Sequence, residues 1–266
     1  MMKLSDLIDS VRLRNRPLVI ADEWSQGRTV FGGIVVGLAH EAMLAYVPLE
    51  RVLRSLSVAF VAPVATGQPL FFETEVLREG SGITYLQCRV IQRDRSVTTL
   101  LACYGAPRQS TLGLEADACF QLPSIEACEP LPFLSGMTPN YLQNFDVRWG
   151  VGGMPFMGAT SRRTGGWIRF KDESEGASLK ESHLLAVMDA WPPSVLSLFK
   201  GAVPGSSLTW SIELAQPLVP LPTDTWFAMQ LYSEYAEQGY SACSASVWSA
   251  DGQLLALGRQ TVAVFG

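Results

Sequence analysis

Two landmarks in this chain recur at one spacing. Pro217 follows Pro63 by 154 residues (217 − 63), and Leu254-Leu255-Ala256 follows Leu100-Leu101-Ala102 by the same 154 (254 − 100). A shared period within 266 residues is the mark of one unit used twice. The first half reads as an amphipathic helix over residues 1–16, a strand from Pro17 to Ala21, a turn at Trp24-Ser25-Gln26-Gly27-Arg28, and an apolar helix from Val30 to Tyr46. Strands follow at Leu53 to Val61, Leu70 to Leu77, Ile83 to Gln92 and Val97 to Tyr104, separated by turn residues as in an antiparallel meander. Five prolines between 106 and 140 with little periodicity mark a linker. The pattern then resumes. Leu142 to Trp149 and Trp167 to Phe170 are strands, Glu181 to Phe199 a helix, and Leu208 to Leu214, Trp226 to Ser233, Tyr240 to Trp248 and Leu254 to Phe265 strands again. The expected organisation is a first repeat over 1–106, a linker over 107–139 and a second repeat over 140–266. Each repeat would wrap a sheet around one apolar helix, an α+β arrangement.

The helix from Val30 to Tyr46 carries apolar residues at Val35, Leu38, Ala39, Ala42 and Tyr46, and only His40 and Glu41 interrupt its other side. A helix apolar nearly all round is buried on most sides. Gly32 and Gly33 stand where it begins. Free amides at a helix start, with no side chains in the way, suit an anion or a carbonyl oxygen. Glycines that merely let a strand pack closely explain the pair equally well.

Composition narrows the function classes. A hydrophobic share of 48% with 17% charged residues belongs to a well-packed globular protein. A net charge of −5 argues against nucleic acid as the main partner. No apolar run approaches the ~18 residues of a membrane span. The opening Met1-Met2-Lys3-Leu4-Ser5-Asp6 lacks the apolar core of a secretion signal. Five cysteines without a CxxC pair are most simply reduced thiols in the cytoplasm.

Val30-Phe31-Gly32-Gly33-x-Val35-Val36-Gly37-x-Ala39 closely resembles the opening helix of the acyl-CoA thioesterase II family, whose members carry two hot-dog repeats in one chain. The meander, the Pro-rich linker, Trp167-Ile168-Arg169 and the chain end fit the same pattern. The resemblance implies a double hot-dog fold, hydrolysis of acyl-CoA to fatty acid and CoA, no cofactor or metal, and an aspartate, a threonine and a glutamine of the second repeat as catalytic residues. The aspartate falls on Asp189. The residues support it independently, because His183 to Trp191 places one carboxylate in an otherwise apolar helix. Burying a charge there is costly unless it is hydrogen-bonded or used. Pro192-Pro193 should break the helix just past the acid. The glutamine falls on Gln260. Counting back from Pro217, the threonine falls on Ser207, and Thr209 is the nearest threonine. Residues 207, 209, 211 and 213 of a regular strand share one face, so either hydroxyl is a candidate.

On this reading Asp189 is general base to a water positioned by Ser207 or Thr209 and held by Gln260. Gly32-Gly33 is the candidate source of amides for the oxyanion. The apolar helices imply a preference for medium or long acyl chains, and the open edges of hot-dog sheets imply a homo-oligomer. Two rivals use the same fold. A dehydratase or hydratase would place a His about five residues after the Asp, where this chain has Ser194. A non-catalytic acyl-binding module would have the apolar lining without a working acid. His40 and His183 read as core residues rather than ligands.

Overall fold

The computed structural model of the chain describes residues 2–13, 17–116, 121–171 and 177–265. The end of the expected first helix, Cys119 and part of the linker lie outside the described residues. Among the described residues three α-helices, α1 (Leu4–Arg12), α2 (Gly32–Leu44) and α3 (Glu181–Ala190), pack on one large antiparallel sheet. Its first-half strands are β1 (Leu18–Val19), β4 (Val52–Phe60), β5 (Pro69–Glu79), β6 (Ile83–Gln92) and β7 (Arg95–Gly105), with β2 (Ser25–Gln26) and β3 (Thr29–Val30) forming a separate hairpin. The second half supplies β8 (Glu129–Pro130), β9 (Phe145–Val151), β10 (Arg163–Phe170), β11 (Gly205–Leu214), β12 (Phe227–Glu237), β13 (Tyr240–Ser249) and β14 (Leu254–Val264). The order across the sheet is β1-β5-β6-β7-β4-β11-β14-β13-β12-β10-β9-β8. The halves meet at β4 and β11, where Ser57 faces Ser211.

Sequence chemistry accounts for the parts. β6 alternates Leu86, Cys88 and Val90 into the core with Gln87 and Arg89 outwards, the period-two pattern of a half-buried strand. It turns into β7 through Arg93 and Asp94, both at positive φ, the two-residue turn whose twist suits a hairpin. α2 is buried from Gly33 to Glu41, as an apolar helix requires. α1 lays Leu4, Leu7, Ile8 and Val11 against the core and seals one end of the helix layer. Fully burying four such side chains contributes roughly 6–12 kcal/mol of hydrophobic free energy before the entropy of ordering the helix.

Several expected elements change shape. Val30 belongs to the small hairpin, and α2 starts at Gly32. The helix expected from Glu181 to Phe199 ends at Ala190, because Pro192 and Pro193 stop it. A 3-10 turn over Ser194–Leu198 follows. The strand expected over Trp167 to Phe170 begins at Arg163, and Glu129–Pro130 of the linker pairs with β9 at the sheet edge.

The repeat length is not uniform. β4 and β11 are related by 154 residues, as Pro63 and Pro217 are. In the last strands of the halves, however, Leu100 pairs with Val58 and Gly258 pairs with Ile212. Val58 and Ile212 are 154 apart, so Gly258 is the structural counterpart of Leu100, 158 residues on (258 − 100). The match of Leu100-Leu101-Ala102 with Leu254-Leu255-Ala256 is therefore four residues out of structural register.

Candidate active site

α2 and α3 run side by side beneath the seam and touch backbone to backbone. A Cβ at Gly37 would lie 2.7 Å from the Ser182 carbonyl oxygen, and one at Gly33 would lie 3.0 Å from that of Ala186. Only glycine permits this approach. It brings the last turn of α3, with Asp189, onto the first turn of α2. The acid of the second repeat thus meets the helix start of the first.

Asp189 has neighbours from both repeats. The Gly33 N–H donates to its carboxylate. Gln260 Nε2 donates to Oδ1 at 2.7 Å. Oδ2 lies beside the Gly32 backbone, where an added Cβ would be 2.9 Å from that oxygen and 3.2 Å from the Phe60 ring. Burial pushes the carboxyl up from 3.8 to about 7, against the pull of the Gln260 and Gly33 hydrogen bonds. A carboxyl held near neutrality between ionised and protonated forms is what proton transfer at neutral pH needs.

The sheet delivers Gln260 from β14, where it stands between Trp210 of β11 and Cys243 of β13. Ser207 donates from Oγ to Gln260 Oε1 at 3.4 Å, so it reaches the acid through the amide rather than directly. Thr209 is elsewhere. A bulge between Ser207 and Thr209 places one extra residue opposite β14, and Ser207 pairs with Val262 while Thr209 pairs with Thr261. The alternation flips there. Ser207 turns inwards with Trp210 and Ile212, and Thr209 turns outwards with Ser211 and Glu213. The expected common face does not exist. Thr209 lines a cavity of about 480 Å³ on the outer side of the sheet, with Ser57, Ser211 and Thr261.

Gly32 and Gly33 also part company. Gly33 uses its N–H on Asp189, whereas a Cβ at Gly32 would meet Asp189 Oδ2 and the Phe60 ring. Two neighbours had no signal in the sequence. Tyr141 donates its OH to the Ala190 carbonyl at 3.1 Å, which satisfies an acceptor at the end of α3. Its ring stacks on Phe31 at 4.2 Å, the residue just before α2. Phe60, at the end of β4, walls Gly32. These contacts join segments far apart in the chain, so no local pattern records them.

The histidines stand apart from the acid. His40 is fully buried, 2.8 Å from the Tyr104 hydroxyl and 3.1 Å from the Glu181 carboxylate. His183 packs edge-on to Phe170 and accepts from the Lys180 N–H. Position 194, where a hydratase would need its histidine, is a buried serine 2.7 Å from Ser233 Oγ.

Two repeats joined through β4 and β11 into one antiparallel sheet, with α2 and α3 packed together on it, define a double hot-dog fold. The profile of the acyl-CoA thioesterase N-terminal domain matches residues 20–105 and that of the C-terminal domain residues 125–264. The chain therefore belongs to the acyl-CoA thioesterase family and is an acyl-CoA thioester hydrolase. It is 24% identical over 255 residues to acyl-CoA thioesterase 2 of Haemophilus influenzae, covering 88% of this chain and 86% of that protein. A hot-dog protein of unknown function from Alicyclobacillus acidocaldarius superposes with a TM-score of 0.78 at 25% identity, over 92% of this chain and 90% of its own. The acyl-CoA thioesterase II TesB2 of Mycobacterium marinum shares the fold, with a TM-score of 0.73 at 16% identity over 93% and 91% of the two chains.

Proposed function

We propose that Asp189 is the general base of this thioesterase and that Gln260, Ser207 and Gly32 complete the site. The observation that carries the reading is one carboxylate, raised to about 7, bonded to Gln260 on one side and to the helix start of the other repeat on the other. Ionised Asp189 takes a proton from water at Oδ2, the oxygen left free by Gln260. The water oxygen adds to the thioester carbonyl, and the Gly32 N–H receives the developing oxyanion. The C–S bond then breaks, and the CoA thiolate leaves with the proton held on Asp189. Ser207 acts through Gln260, fixing the amide so that its NH₂ faces the acid.

The acyl chain is medium or long and unbranched, lying along the apolar helix layer. Each buried CH₂ adds ~0.8 kcal/mol, so affinity should rise with chain length until the lining is filled. The chain works in the cytoplasm as a homo-oligomer of two-repeat protomers. Support comes from four unpaired cysteines among the described residues and from exposed Leu101 and Leu257 on the outer sheet face. Among those residues no helix is long and apolar enough to cross a membrane.

The test is release of free thiol from acyl-CoA esters of increasing length, with wild type and Asp189→Asn. Turnover that rises from acetyl to decanoyl and collapses in the variant is the expected result. Equal affinity for acetyl-CoA and decanoyl-CoA overturns the chain-length reading, and a fully active Asp189→Asn overturns the catalytic one.

A further inference from the structure

The α2–α3 contact has two polar ends. At one, the Gly33 N–H meets Asp189. At the other, Ser182 Oγ donates to Glu41 Oε2 at 2.8 Å. Gly33, Gly37 and Glu41 are spaced by four along α2 and share one face, and Ser182, Ala186 and Asp189 form the facing row on α3. Between the polar ends the helices approach closely, with Gly37 against the Ser182 carbonyl and Gly33 against the Ala186 carbonyl, Asp189 Cβ and the Phe31 ring. Ser182 and Asp189 are seven residues apart on one rigid helix (189 − 182), roughly 10 Å at 1.5 Å per residue. A slide of one residue would break both polar contacts together.

Glu41 is not in the hydrolytic machinery, yet the residue is only 3% exposed. A buried charge is costly unless held on all sides. Arg12 of α1 holds Oε1 at 2.5 Å, Ser182 of α3 holds Oε2, and from β7 the Tyr104 hydroxyl lies within its field. Around Asp189 the facing groups are Gln260 of β14, the Gly33 N–H of α2 and Tyr141. A tether therefore runs from the N-terminal helix to the acid: Arg12 to Glu41, Glu41 to Ser182, and along α3 to Asp189.

We propose that Ser182 and Glu41 are positioning residues for Asp189, setting the axial register of α3 on α2 so that the carboxylate sits under the Gly33 N–H. This rests on Asp189 being the base. Neither residue touches substrate. Their effect passes through a displacement of α3, and displacements of about 1 Å at a reacting group cost up to 10²-fold in rate.

The experiment measures kcat, KM and the pH profile of kcat on decanoyl-CoA for wild type, Ser182→Ala, Glu41→Ala, Ser182→Cys and Asp189→Asn. Ser182→Ala and Glu41→Ala are expected to lose about tenfold in kcat with KM little changed. The pH midpoint of kcat should move upward, because the Gly33 hydrogen bond that favours ionised Asp189 is weakened. Ser182→Cys keeps a weak donor of similar size and should fall between wild type and Ser182→Ala. A folded Ser182→Ala with wild-type kcat and midpoint overturns the proposal, even if its melting temperature drops, since the bond is then only structural. Should the alanine variants fail to fold, Ser182→Cys decides by the same two readouts. Asp189→Asn separates the two levels. If it keeps full activity, the reading of the base has failed. If it is inactive while Ser182→Ala matches wild type, only the positioning role has.

Discussion

Ser57 and Ser211 face each other directly across the β4–β11 pair, and they are 154 residues apart (211 − 57), the repeat length that relates those two strands. Each is thus the other's counterpart, and the pair marks the approximate twofold axis between the repeats. The axis explains where the site is. Rotation about it lays α3 antiparallel to α2, so the end of one helix meets the start of the other. Asp189 and Gly33 come from different repeats for that reason.

Replacing Asp189 by Asn keeps size and hydrogen bonding but removes the proton acceptor. Hydrolysis of decanoyl-CoA is expected to fall by ~10² or more. Thermal stability at neutral pH should hold or rise, because a carboxylate that resists burial becomes a neutral amide. Steady-state kinetics beside a melting curve checks both.

Turnover should depend on pH with a midpoint near 7, active on the alkaline side, where Asp189 is ionised. Stability should run the other way. The folded chain binds the Asp189 proton more tightly than the unfolded chain, whose group has its ordinary value of 3.8. This group's contribution is therefore full below about pH 4 and is lost as the pH rises through about 7. The melting temperature of Asp189→Asn relative to wild type should accordingly increase between about pH 5 and pH 8.

The bulge in β11 separates two hydroxyls that a regular strand would place together. Ser207→Ala, which frees Gln260 Oε1, is expected to lower kcat several-fold. Thr209→Ala, on the outer face, should leave kcat within about twofold of wild type. Thiol release by the two variants in parallel makes the comparison, and the reverse order would put the inward face at Thr209.

Gly33→Ala would set a Cβ 2.7 Å from the Phe31 ring and 2.8 Å from Asp189 Cβ, with the Ala186 carbonyl at 3.0 Å. The helices must separate, at a cost of about 1–3 kcal/mol. Activity should fall further than stability implies, because Asp189 moves with α3. Gly27→Ala, in the open turn before α2, meets nothing within 4 Å but has a φ of +63°, so it should lose some stability and little activity. Denaturant titration with kcat on the same samples tests the pair.

What the chain determined by itself is what local pattern encodes. The apolar runs from Ile34 to Ala39 and Leu184 to Met188 identify helices that only a core can accept, and β6 announces its two faces by alternation. The acid before Pro192-Pro193 stands out because a charge in an apolar helix needs a reason, and Gly32 opens its helix as expected. Side-chain pattern is a local property, so it is legible without the fold. Tertiary structure decided the rest. One unpaired residue in β11 turned Thr209 outwards and Ser207 inwards, since a single insertion inverts every face beyond it. Pairing across β4, β7, β11 and β14 moved the counterpart of Leu100 from Leu254 to Gly258. The backbone contact of the helices gave the Gly33 N–H to Asp189 and set Gly32 against Oδ2 of the same residue. Tyr141 came to the end of α3 and Phe60 to the start of α2 for the same reason. Which groups meet across a sheet or between two helices is set by the packing of segments far apart in the chain, and no local periodicity records it.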